Sequence, residues 1–217
     1  MKQVQVKICG VANVHDARAC AELGANMIGL NFYRQSPRYI APEIGREIVA
    51  AIGNDACPVG VFVEPKLDQV RELAQTVGFT AVQLHGNVSP ALCDEFARDF
   101  RVIRALCTSN RFRPVEAAQF RSCDVLLDAA HPQLHGGTGI TCDWSAARAT
   151  LPFTRFLILS GGLSAQNVGA AIAAVQPHAV DVCSGVELAP GAKDRSAMEQ
   201  FITAVRASEA AALTPPA

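Results

Sequence analysis

The chain has no apolar run long enough to cross a bilayer. A spanning helix needs about 20 consecutive apolar residues, and the longest stretches here stop far short of that. It also has little net charge. Nineteen Lys and Arg against 20 Asp and Glu leave −1 at pH 7, which offers no field to nucleic acid or to an anionic membrane. There is no C-x-x-C pair, so neither a zinc knuckle nor a thioredoxin-type site is expected. The first residues carry one lysine and no apolar core of a secretion signal, so a cytoplasmic, reducing setting is expected. No G-x-G-x-x-G follows the first strand-like run, which removes the phosphate turn of a dinucleotide-binding sheet.

What is present fits one large core. The chain has 217 residues, 50% apolar and 18% charged, a composition of globular rather than disordered chains, and α/β barrels reach this length as one domain. Eight cysteines, at 9, 20, 57, 93, 107, 123, 142 and 183, are scattered through strand-like and helix-like segments. A chain of this size needs no disulfide staples, so most of these thiols are expected to pack.

Strand-like runs recur at Val4–Cys9, Met27–Phe32, Cys57–Val63, Ala81–Leu84, Val102–Ala105, Val125–Asp128, Phe156–Ser160 and Ala179–Val182. They are continuous apolar runs, as strands buried on both faces should be. Helical spacing appears between them at Val14–Leu23, Ile44–Ile52, Leu67–Val77, Pro90–Arg98, Pro114–Phe120, Trp144–Thr150, Val168–Val175 and Ala197–Ala207. Asp143 and Ser164 stand where N-caps of the sixth and seventh helices would fall. Eight βα units without a composition break predict a single-domain (β/α)₈ TIM barrel over residues 1–208 with a frayed tail at 209–217. An open doubly wound sheet is the alternative.

In such a barrel the carboxyl ends of the strands converge on one face, where active sites sit. Those ends are polar here: Cys9-Gly10, Ser36-Pro37-Arg38, Gln83-Leu84-His85-Gly86, Arg104, Asp128, Ser160-Gly161-Gly162, and Asp181 with Ser184-Gly185. Cys9 ends the first strand. A thiol there can move a proton or attack carbon; the alternative is a small buried hydrophobe. Asp128 is the natural partner as a general acid, or else a structural acceptor. Arg38 can clamp a carboxylate through two donors, and Gln83 and His85 can orient a ligand. Gly136-Gly137-Thr138-Gly139, Gly161-Gly162 and Ser184-Gly185 let backbone N–H groups approach an anion. Each alone reads better as a tight turn; the three together read as a phosphate cradle.

The motifs Lys7-Ile8-Cys9-Gly10, Ser36-Pro37-Arg38-Tyr39, Gln83-Leu84-His85-Gly86, Gly136 to Gly139, Asp143-Trp144, Ser160 to Leu163 with Asn167-Val168, and Asp181 through Glu187 together resemble the phosphoribosylanthranilate isomerase family. The resemblance covers nearly the whole chain. It implies an Amadori rearrangement of N-(5-phosphoribosyl)anthranilate, without metal or organic cofactor, in tryptophan biosynthesis. It implies Cys9 as general base and Asp128 as general acid. It implies Arg38 at the anthranilate carboxylate, Gln83, His85 and Asp181 at the substrate, and Gly137, Thr138, Gly139, Gly161, Gly162, Ser184 and Gly185 at the phosphate. Two positions depart from the family pattern: Ala129 follows the acid where a serine is common, and Cys142 precedes Asp143-Trp144 where an aromatic is common.

Two other readings remain at this point. A different sugar-phosphate barrel enzyme would want more metal ligands or a second aspartate on strand one, where this chain has Cys9. A non-catalytic binding barrel would need neither thiol nor acid. The expected partner is a small-molecule substrate, with no nucleic acid and no membrane, for a monomer or a homodimer.

Overall fold

Eight strands, β1 (Gln5–Cys9), β2 (Met27–Asn31), β3 (Cys57–Val63), β4 (Ala81–His85), β5 (Arg101–Thr108), β6 (Asp124–Ala129), β7 (Leu157–Leu159) and β8 (Ala179–Val182), pair in parallel in chain order, and β8 closes onto β1. The computed structural model describes residues 3–108, 112–129 and 143–213. Helices α1 (Val14–Glu22), α2 (Pro42–Ile52), α3 (Leu67–Val77), α4 (Pro90–Phe96), α5 (Trp144–Thr150) and α6 (Val168–Val175) lie in crossovers, and α7 (Arg195–Leu213) follows β8. This is the (β/α)₈ barrel that the repeat pattern predicts. No helix among the described residues is long and apolar enough to cross a membrane.

Strand residues alternate between two cores. Met27, Val59, Ala81, Ile103, Leu126, Ile158 and Ala179 fill the barrel interior. Ile8, Ile28, Leu84, Val102, Leu127 and Val180 point outward, into a layer shared with Ile48, Phe96 and Phe201. Because both faces are buried, the strands read as unbroken apolar runs. Each fully buried Ile, Leu or Phe contributes about 1.5–3 kcal/mol, so the outer layer holds the helices to the sheet.

The same alternation decides which polar residues reach the mouth. Lys7 pairs with Asp181, Cys9 with Gly29 and Cys107 with Asp128 across neighbouring strands, all at inward positions. Arg104 pairs with Val125 at an outward position. Its guanidinium caps the Leu84, Ala105 and Gly86 carbonyls and lies 5.3 Å from the Phe120 ring centre. Arg104 therefore belongs to the outer layer and not to the strand-end cluster.

Several boundaries differ from the sequence pattern for local reasons. The crossover after β5 carries a 3₁₀ turn, Pro114–Gln119, opened by proline, in place of the helix expected at Pro114–Phe120. Asp143 does cap α5, accepting from the Ser145 and Ala146 N–H groups at 2.9 and 3.1 Å. The Ser164 hydroxyl does not cap α6. Instead the Asn167 side chain folds back, accepting from Ser164 N–H at 2.9 Å and donating to the Gly162 carbonyl at 2.8 Å. The tail expected from 209 is helical as far as Leu213. Alanine-rich sequence favours helix, and Glu209 accepts from the Val4 N–H and from Arg206, which ties this turn to the start of β1. A short antiparallel ribbon, β9 (Glu187–Ala189) with β10 (Ala192–Lys193), lies beyond β8 and is absent from the sequence pattern.

Candidate active site

The carboxyl ends of the strands surround a basin of about 610 Å³, part of it open to solvent. Cys9 from β1 and Asp128 from β6 both line it, as do Arg38, Gln83, His85 and Asp181. The loops after β7 and β8 contribute Gly161, Gly162 and Ser184. Gly137, Thr138 and Gly139 lie outside the described residues. No group of three His, Cys, Asp or Glu that could hold a metal ion occurs among the described residues.

Lys7, two residues before Cys9 on the same face of β1, organises this side of the site. Its ammonium is fully buried and donates to Asp181 Oδ1 at 2.8 Å, while Ser160 Oγ donates to Asp181 Oδ2 at 2.9 Å. Burial works against this charge, but Asp181 and the Cys9 sulfur outweigh it and hold Lys7 above its ordinary pKa. Gly29 on β2 makes the space. A Cβ there would lie 2.7 Å from Cys9 Sγ and 3.1 Å from Lys7 Nζ.

The Cys9 thiol is held down to about 6. The main cause is a hydrogen bond donated by the Cys183 thiol; burial opposes it and the Lys7 charge adds to it. Cys183 is pushed well up in turn, by its bond to Cys9 and by burial. Cys9 thus comes with its own donor and a cation beneath it, the surroundings that turn a cysteine into a thiolate near neutral pH. Across the mouth, Asp128 is buried at 6% exposure, and Thr108 Oγ1 donates to its backbone carbonyl at 3.0 Å.

Arg38 reaches the basin over Gly10, where φ is +72° and a Cβ would sit 2.5 Å from Arg38 Cδ. Its Nε and Nη2 grip the Glu187 carboxylate at 2.9 and 2.7 Å. Gln83 Nε2 and His85 Nε2 are 2.7 Å apart on β4, and Gln83 Oε1 is buried with no protein partner. Gly161 and Gly162 take φ of +87° and +62°, which only glycine adopts readily. Gly185 is required for a different reason than approach to an anion. A Cβ there would lie 2.1 Å from the Leu163 carbonyl oxygen, so glycine lets the loops after β7 and β8 pack together.

Sequence reasoning missed Lys7, Cys183, Glu187 and Lys193 as site residues. Lysine inside an otherwise apolar strand was the available signal for Lys7, since an unpaired lysine is almost never fully buried. The other three act through partners that only the closed barrel brings near.

The model of the family described as N-(5'-phosphoribosyl)anthranilate isomerase matches residues 6–204. The chain belongs to this family. A relative from Acidithiobacillus ferrooxidans, named N-(5'-phosphoribosyl)anthranilate isomerase, is 42% identical over 95% of this chain and 99% of its own. Among solved structures, monomers generated from the dimeric phosphoribosylanthranilate isomerase of Thermotoga maritima superpose with a TM-score of 0.85 at 38% identity, over 94% of this chain and 100% of that one. A phosphoribosylanthranilate isomerase in complex with reduced 1-(o-carboxyphenylamino)-1-deoxyribulose 5-phosphate is equally similar, with a TM-score of 0.85, 38% identity and the same coverage. Membership makes the chain an isomerase of this type.

Proposed function

We propose that the basin converts N-(5-phosphoribosyl)anthranilate to 1-(2-carboxyphenylamino)-1-deoxyribulose 5-phosphate, with Cys9 as general base and Asp128 as general acid. The observation that carries this reading is that a thiol on β1, set above the buried Lys7 ammonium, and a buried carboxyl on β6 open on one basin. Asp128 gives its proton to the ribose ring oxygen and the C1–O bond breaks, leaving an iminium at C1. Cys9 thiolate takes the C2 proton, and the electron pair of that bond flows into the iminium to give an enolamine. Tautomerisation to the ketone completes the isomerisation, and proton exchange with solvent resets the two groups. The iminium is its own electron sink, so these steps call on side chains alone.

Arg38 takes the anthranilate carboxylate, and geometry supports this: Glu187 holds its Nε and Nη2 in place, and the side chain lines the basin beside Cys9. Gln83, His85 and Asp181 contact the sugar and the anthranilate. The glycine turn at Gly161-Gly162 and the Ser184 turn take the phosphate, with backbone N–H groups as donors. The reading places the enzyme in the cytoplasm, as a monomer or a homodimer; the dimeric Thermotoga maritima relative supports the second state. Freshly made phosphoribosylanthranilate is fluorescent. Its fluorescence should fall on adding the purified chain, and inorganic phosphate should slow the loss. Binding without loss of fluorescence would contradict the isomerase reading and favour a binding barrel.

A further inference from the structure

Arg38 does not stand alone at the mouth. Glu187, at the start of β9, is 3% exposed, and its carboxylate takes both Nε and Nη2 of the Arg38 fork. Lys193, on β10, is fully buried at its side chain and donates through Nζ to Glu187 Oε1 at 2.8 Å, to the Cys9 carbonyl at 2.6 Å and to the Cys183 carbonyl at 3.3 Å. The Gly191 N–H adds a bond to the same Glu187 oxygen at 3.2 Å. Two ion pairs that share the Glu187 carboxylate therefore join the loop after β2, the ends of β1 and β8, and the β9–β10 ribbon.

We infer that Glu187 and Lys193 are positioning residues: Glu187 aims the Arg38 guanidinium at the substrate carboxylate, and Lys193 fixes Glu187 to the backbone that carries Cys9. The inference rests on the proposed role of Arg38. The chemistry follows from fork geometry. A guanidinium gripped along its Nε–Nη2 edge cannot rotate about its long side chain, so the rest of its donors keep one direction. A free arginine loses rotamer entropy when it captures an anion; a gripped one has lost it on folding. Lys193 spends all three donors within the protein and so acts as a strut, not a ligand contact. Glu187 also stays ionised: burial opposes its charge, but the Arg38 bonds and Lys193 hold it below the ordinary carboxylate range.

Steady-state kinetics on phosphoribosylanthranilate test this with three variants. Arg38→Met should raise KM about tenfold or more, and Glu187→Gln should raise KM by a similar factor while kcat falls less than about threefold. In the Arg38→Met background, Glu187→Gln should add nothing to KM, because its effect runs through the arginine. The double variant Glu187→Gln with Lys193→Met removes both buried charges together; it should keep its fold, checked by far-UV circular dichroism, and show the same rise in KM. Affinity for the reduced product analogue should fall in step, while affinity for inorganic phosphate stays unchanged, which general loosening of the site would not produce. If Arg38→Met leaves KM unchanged, the carboxylate reading fails. If Arg38→Met raises KM but folded Glu187 variants do not, or if the effects add in the double variant, the positioning role is overturned and the carboxylate reading stands.

Discussion

The two ends of the barrel interior use the same kinds of charge to different ends. At the amino end, Asp124 on β6 is held by Arg101 at 2.7 Å and Arg155 at 3.1 Å, and Arg101 also lies 5.2 Å from the Phe156 ring centre. Those arginines are 35% and 55% exposed, so water shares the load. At the carboxyl end, Lys7, Asp181, Glu187 and Lys193 are all close to fully buried, and their pairing surrounds an open basin rather than sealing it. Charges at the amino end close the bottom of a core. Charges at the mouth are kept dry and fixed in place, where they act strongly on a neighbouring thiol and on a ligand. Removing a residue should therefore cost stability at one end and activity at the other.

The largest effect is expected at the mouth. Cys9→Ala and Asp128→Ala should each lower turnover of phosphoribosylanthranilate by about 10²–10⁴-fold or more, with melting curves close to the parent chain, since loss of a general acid or base removes a transition-state interaction. Near-normal turnover in either variant breaks the assignment.

A pH profile sharpens the same contrast. Cys9 must be a thiolate to take a proton, so the acid limb of kcat/KM should rise with pH through about 6. Cys183→Ala removes the donor that chiefly holds the thiol down, so this acid limb should move up towards the ordinary thiol value of about 8.5. An unmoved limb would assign it to another group.

The amino end should behave in the opposite way. Asp124→Asn leaves two arginines facing an amide and should lower stability by about 1–3 kcal/mol in urea unfolding, with kcat/KM unchanged. A kinetic defect without loss of stability would erase the distinction between the ends. The smallest effect belongs to Ser89, which caps α4 by accepting the Leu92 N–H at 3.2 Å. Ser89→Ala should cost about 1 kcal/mol and leave kinetics alone.

How far the sequence foretells this molecule depends on the distance over which each feature is decided. Strand and crossover positions follow from local apolar spacing, and β3, α3, α5, α6 and β8 keep the bounds that spacing predicts. Cys9 and Asp128 are legible because each stands at the carboxyl end of an apolar run. Arg104 misleads because it also falls in a strand, but at outward parity, and parity shows only when pairing is known. The Arg38–Glu187 clamp joins residues 149 apart in the chain, and the ribbon that carries Lys193 is two short strands with no periodicity to detect. Gly185 is legible as a glycine that matters, but its reason, the Leu163 carbonyl, lies in another loop.

The account turns on Cys9 being an activated thiolate at the mouth. The most direct measurement is the rate of iodoacetamide alkylation at Cys9, read by peptide mass mapping between pH 4.5 and 9.5 alongside the activity of the same samples. The account predicts half-maximal reactivity near pH 6 at Cys9, slowed by bound substrate analogue, with activity lost in proportion to Cys9 modification. A Cys9 that reacts only near the ordinary thiol value of about 8.5, or a chain that stays active once Cys9 is fully alkylated, would contradict it.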